Sequence, residues 1–164
     1  MRSQHSGDGI EPVKCEPKGR FSGDYLLDWG GETCEVCFLK GASAGSIQLM
    51  EDRYEIIQNG PLSRIWTLKK DGEKILQAKR RGIRSSIRIV RDNELFLLER
   101  KHLLSPMFLL SDNDRVIANY DKQKMFNRKL EIEVIDVEAD FLLLAFAFWL
   151  VTSVRRASSG NLKA

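Results

Sequence analysis

Residues Phe141 to Val154 read FLLLAFAFWLVTSV, a run that would be apolar on every side of a helix and is too short to cross a bilayer comfortably. A helix with no polar face has to be enclosed all round, by protein or by lipid. A membrane span wants about 20 apolar residues, whereas runs of roughly 10 to 14 are more often buried core helices. Asp136, Glu138 and Asp140 stand before the run and Arg155 and Arg156 after it, the charge order that complements a helix dipole. The run therefore predicts one buried helix over 141–154, and the rest of the chain has to supply its wrapping.

The preceding stretch repeats. Shifted by twenty positions, Ile75 to Asp92 (ILQAKRRGIRSSIRIVRD) falls on Leu95 to Asp112 (LFLLERKHLLSPMFLLSD), so that Arg80 meets Arg100, Arg81 meets Lys101, Ile87 meets Met107 and Asp92 meets Asp112. A third copy follows through Val116, Ile117, Lys122 and Met125 to Leu130 and Ile132, and a fainter one precedes it in Leu62, Trp66 and Leu68. Within each copy apolar and polar residues alternate, the period of strands with one buried face. Asp71-Gly72, Asp92-Asn93 and Ser111-Asp112-Asn113-Asp114 supply turns. The unit is a strand pair of about 21 residues, and periods of this size mark repeat architectures. A meander of such pairs ending in one greasy helix predicts a mainly β fold: a closed antiparallel barrel wrapped around a buried C-terminal helix. On this reading the helix touches Ile75, Ile87, Leu97, Leu109 and Ile132.

This pattern of apolar residue, basic pair, apolar, small polar, apolar (Lys79-Arg80-Arg81 to Ile89; Arg100-Lys101 to Leu109), closed by a short hydrophobic helix, resembles the tubby C-terminal-like superfamily. That superfamily includes tubby proteins, phospholipid scramblases and LURP-one-related proteins. The resemblance covers Ile47 to Arg156. It implies a barrel of about a dozen strands threaded by one helix, and recognition of phosphoinositide or other anionic lipid headgroups. The cysteine-rich segment of scramblases is missing from this chain, so the resemblance does not extend to lipid scrambling.

A chain of 164 residues with 43% hydrophobic residues holds one sizeable core. Its net charge of +3 is modest but unevenly spread: from Arg64 to Lys129 there are 17 basic residues against 8 acidic ones. Repeat symmetry predicts that Lys79, Arg80, Arg81, Arg100, Lys101, Lys122 and Lys124 lie at equivalent heights as a basic collar. Such a collar suits a polyanion, foremost an anionic lipid or membrane surface. Basic residues also blunt exposed strand edges, which is the plainer explanation. Nucleic acid is disfavoured, because Trp66 and Phe96 fit strand cores better than base-stacking platforms.

Met1 to Asp24 is rich in Gly, Ser, Pro and charge, reads as a flexible arm, and carries no signal peptide. One barrel domain is expected over 25–156, with 157–164 as a tail and a cytoplasmic location, peripheral to a membrane where lipid is bound. Tyr25–Trp29 reads as a short anchor, and Glu35–Lys40 and Ser46–Ile57 as strands. Cys34 and Cys37 have CxxC spacing, but a structural zinc site needs four ligands and a strand would turn the two thiols to opposite faces, so no metal or other cofactor is expected. His5 and His102 are the only histidines, and neither a phosphate loop nor a nucleophile elbow is present. The expected role is non-enzymatic binding. The alternatives are a tail-anchored protein with a cytosolic β domain and a protein-interaction module.

Overall fold

The computed structural model describes residues 9–20, 22–39, 44–60, 62–82, 86–121 and 129–161, with side chains described up to 157. Twelve strands and one helix follow one another along the chain. They are β1 (Val13–Pro17), β2 (Tyr25–Trp29), β3 (Glu32–Phe38), β4 (Ala44–Leu49), β5 (Asp52–Gln58) and β6 (Ile65–Lys70), then β7 (Glu73–Arg81), β8 (Ser86–Arg91), β9 (Glu94–Arg100), β10 (Phe108–Asp112), β11 (Arg115–Tyr120), β12 (Leu130–Val134) and α1 (Phe141–Asn161). Each strand pairs antiparallel with its neighbour in sequence, and β1 pairs with β12, so the sheet closes into a barrel.

The repeat is visible in the turns. Two-residue turns at 30–31, 50–51, 71–72, 92–93 and 113–114 join β2 to β3, β4 to β5, β6 to β7, β8 to β9 and β10 to β11. The first central residue of each, Gly30, Met50, Asp71, Asp92 and Asn113, has positive φ, at 60°, 56°, 51°, 50° and 45°. That geometry matches the twist of the flanking strands. The spacing is 20 and then 21 residues, so the repeat begins at β2, earlier than the sequence pattern suggests. Longer connections join the strands at the other end.

Three expectations change. Val13–Pro17, placed by its composition in a flexible arm, is a strand between β2 and β12, because Val13 and Cys15 alternate with polar neighbours and point into the core. Ser46–Ile57 is two strands, broken at Met50-Glu51, where an exposed methionine takes the left-handed turn position usually filled by glycine or asparagine. The helix continues to Asn161 instead of ending at Val154.

All residues from Phe141 to Val154 are buried, and all of them except the polar Thr152 and Ser153 form one hydrophobic cluster with the inward residues of the strands. Their partners lie on separate arcs of the barrel. Phe148 meets Tyr25 on β2 edge to face, and Trp149 stacks on Phe38 of β3 at 5.8 Å. Tyr120 on β11 donates to the Leu144 carbonyl at 2.9 Å. Of the strand residues expected at the helix, Ile87 and Ile132 are buried on the inner face. Ile75 is half-buried against the core at a β-bulge, and Leu97 and Leu109 face outward beside the buried Phe96, Leu98, Phe108 and Leu110. Where apolar residues occupy both faces, as in Leu95 to Leu98, alternation alone does not say which set is inside.

Asp140 caps the helix: its carboxylate accepts the Leu142 amide at 2.9 Å and also pairs with Arg91. Arg91 sits at the turn end of β8, so the helix starts at the tight-turn end and its C-terminal part lies at the long-loop end. Gly45 on β4 permits the close approach there, since a Cβ at this position would lie 2.3 Å from Trp149 Nε1 and 2.4 Å from the Cys37 carbonyl. Because the carbonyl belongs to the paired strand and cannot yield, Gly45→Ala is expected to cost about 3 kcal/mol. A thermal melt checks it, and an unchanged midpoint would show that β4 stands away from the helix.

Candidate anion-binding site

Alternation within β7 divides the predicted collar. Leu76 and Ala78 are buried, so Arg80 turns to the same inner face and is half-buried, while Lys79 and Arg81 are exposed on the outside. On β9, Phe96 and Leu98 are buried and Arg100 follows them inward, while Lys101 is exposed just beyond the strand. Arg80 and Arg100 therefore occupy equivalent positions, as the twenty-residue repeat requires. Lys122 and Lys124 lie outside the described residues.

Two further arginines stand close to the inward pair, Arg64 exposed and Arg155 half-buried. Arg64 immediately precedes β6, where its carbonyl accepts the Arg80 amide at 2.9 Å and its guanidinium donates to the Gly82 carbonyl at 3.2 Å. Arg155, on the helix, donates to the carbonyls of Pro106 at 2.7 Å and Tyr120 at 2.9 Å. The guanidinium groups of Arg100 and Arg155 both lie over the Phe108 ring, at 5.6 and 5.7 Å. Arg156 donates to the Gly23 carbonyl at 2.6 Å and stands 4.1 Å above the Phe38 ring, so the helix is tied to the mouth on both sides.

The group is electrostatically uncomfortable. Burial first, then the charges of Arg64 and Arg100, hold the Arg80 guanidinium below its ordinary range. Burial lowers the Arg155 guanidinium as well; the nearby Asp121 carboxylate raises it in part, by more than repulsion from Arg100 lowers it. Arg100 Nε is a buried donor that makes no hydrogen bond among the described residues. Arginine does not shed its proton at any ordinary pH, so this charge stays fixed.

The two ends of the barrel differ in sign. Around the tight turns stand Glu32, Glu51, Asp52, Asp71, Glu73, Asp92, Glu94, Asp112 and Asp114, with Asp136, Glu138 and Asp140 leading into the helix. The main cations there are engaged: Lys70 with Asp52 at 2.9 Å, Arg91 with Asp140, and Arg115 with Asp136 at 3.1 Å. The long-loop end instead gathers Lys18, Arg20, Arg64, Lys79, Arg80, Arg81, Arg100, Lys101, Lys129, Arg155 and Arg156, against Glu16, Asp24, Glu35, Glu99 and Asp121, with Lys18 paired to Glu35 and Lys129 to Glu16 at 3.7 Å.

Period-two reading from the buried Leu68 back through Trp66 reaches Arg64, so that residue was accessible to sequence reasoning, which instead followed basic pairs along the chain. Arg155 was read only as a dipole partner at a helix end that lies further on.

The cysteines follow their strands. Cys15 and Cys34 point inward and Cys37 outward, and no disulfide joins them. Burial, reinforced by Glu35 and Cys37, pushes the Cys34 thiol up to about 12. Cys37, raised to about 11 by burial and then by Asp24, bonds Glu35. Among the described residues no three His, Cys, Asp or Glu side chains gather as a metal site, and no helix is long and apolar enough to cross a membrane.

Comparison of the chain with protein-family models, with curated proteins and with solved structures returns no match. The likeness to tubby-like proteins therefore rests on the repeat pattern and on the order of barrel and helix.

Proposed function

We propose that this protein is a non-enzymatic binding domain that recognises an anionic lipid headgroup at the long-loop end of its barrel. We infer that the helix fills the lumen, which leaves no interior room for a ligand and confines recognition to the surface and the ends. The observation that carries the reading is the inward turn of Arg80 and Arg100 at one mouth, where Arg64 and Arg155 join them. Arginines that merely keep strand edges from aggregating would stand outward in water, and a closed barrel has no edges to protect. Guanidinium groups held together against their own repulsion and partly desolvated suit a phosphate, which offers acceptors on several sides. The resemblance of its repeat pattern to that of tubby-like proteins points the same way.

Flotation with vesicles of phosphatidylcholine, with and without phosphatidylserine, tests this reading. Arg80→Gln with Arg100→Gln is expected to weaken binding to anionic vesicles by about tenfold or more, since each basic residue at such a surface contributes on the order of 1 kcal/mol. Lys69→Gln with Lys70→Gln removes the same charge from the opposite end and should change binding little. Equal losses would mean a diffuse attraction without a site. If wild-type protein ignores anionic vesicles at low salt, the lipid reading falls and a protein-interaction module takes its place.

A further inference from the structure

Exposed apolar side chains scattered singly over a surface are ordinary. Four leucines in this barrel are not scattered. Leu39 follows β3, Leu62 lies between β5 and β6, and Leu103 and Leu104 lie between β9 and β10, so the up-and-down topology places all four in connections at the long-loop end. They are 62%, 95%, 74% and 94% exposed. Apolar exposure also occurs at the tight-turn end, in Met50 and Val137, but there it sits among Glu51, Asp52, Asp136 and Glu138. A carboxylate-rich surface is repelled by an anionic leaflet, whereas leucines beside arginines and lysines match both layers of one.

We propose that the long-loop end is a membrane-docking face, on which Leu39, Leu62, Leu103 and Leu104 enter the boundary between headgroups and acyl chains of an anionic bilayer while the basic residues engage the phosphates. This rests on the headgroup reading above and adds an orientation: the barrel stands on its long loops with its acidic end facing away from the leaflet. The leucines lie in three separate connections, which spreads the contacts around the rim. The helix ties through Arg155 and Arg156 hold two loops of that rim, those containing Pro106 and Gly23, against the barrel.

Two measurements separate this inference from the site beneath it. The first is flotation of wild-type protein and of Leu103→Ser with Leu104→Ser on phosphatidylcholine vesicles with and without phosphatidylserine. The second is protection of the same proteins against thermal unfolding by inorganic pyrophosphate, which reports anion binding without a bilayer. Moving a leucine out of water is worth about tenfold in partitioning, so the double variant should bind anionic vesicles about 100-fold less well while its protection by pyrophosphate stays as in wild type. Leu62→Ser, in a different loop, should show a smaller loss in the same direction. If the leucine variants float with anionic vesicles as wild type does, docking by insertion is overturned and headgroup recognition stands. Loss of pyrophosphate protection in the double variant would mean that the substitutions damage the arginine site itself, which also overturns the inference. Protection by pyrophosphate with no vesicle binding by wild type leaves an anion site whose ligand is soluble, and both lipid readings fall.

Discussion

Trp149→Asp or Phe146→Asp should abolish folded, soluble protein. Both side chains are wholly buried in the cluster that unites helix and strands. An unpaired carboxylate driven into such a site costs several kcal/mol even after its pKa adjusts, and a domain of this size has about 5–15 kcal/mol of stability to lose. Loss of the indole adds a cavity where Phe38 stacks and Gly45 makes room. Arg81→Glu is the matched control, because Arg81 is exposed and stands on the outer face of β7. Arg80 would be a poor control despite being its neighbour, since it turns inward among other arginines. Soluble yield and thermal melts of the three variants decide the matter. Comparable damage from Arg81→Glu and from either core variant would mean that the faces of the barrel are assigned wrongly.

What the sequence shows well is whatever depends on a period. A run with no polar face required burial, and a repeat of strand pairs required a sheet; the structure has a closed barrel and a single helix whose residues 141–154 are buried. What it shows poorly is whatever depends on parity. A single bulged residue reverses the facing of every side chain after it, and bulges lie in the pairings of β6 with β7 and of β10 with β11. Met50-Glu51 carries no glycine or asparagine to mark its turn, so β4 and β5 read as one strand. Val13–Pro17 is too short and too charged for its two inward residues to stand out from the arm before it.

The site was legible in the same partial way. Recurrence of basic residues at a spacing of twenty picked out Arg80 and Arg100, which the hydrogen-bonded repeat places at equivalent positions on β7 and β9. It did not separate Arg80 from Lys79 and Arg81, since three successive strand residues cannot share a face. Nor did it bring in Arg155, whose place depends on where the helix lies relative to β10 and β11.

The response of anionic-vesicle binding to salt is expected to be the largest functional effect. Arg64, Arg80, Arg100 and Arg155 each add on the order of 1 kcal/mol near an anionic surface, so together they account for about three decades of affinity. The screening length falls from about 30 Å at 0.01 M salt to about 3 Å at 1 M, which takes the attraction from spanning the whole mouth to acting only at contact. Vesicle binding should therefore fall by roughly two to three decades across that range. The leucine contribution survives salt, because burial of apolar surface does not depend on charge screening. A residual, salt-resistant binding that disappears in Leu103→Ser with Leu104→Ser would separate the two contributions. Proton concentration should matter far less for the arginines themselves: guanidinium groups keep their charge from roughly pH 5 to pH 8, whereas phosphate monoesters of a ligand titrate near pH 6. Phosphatidylserine phosphodiesters lack that second proton, and binding of a His102→Gln variant to them should be flat over the interval, the substitution removing the one histidine among the described residues, which stands on the same rim between Lys101 and Leu103. A steep pH dependence on such vesicles would place the charge that matters on a titrating side chain and remove the arginine mouth as the site.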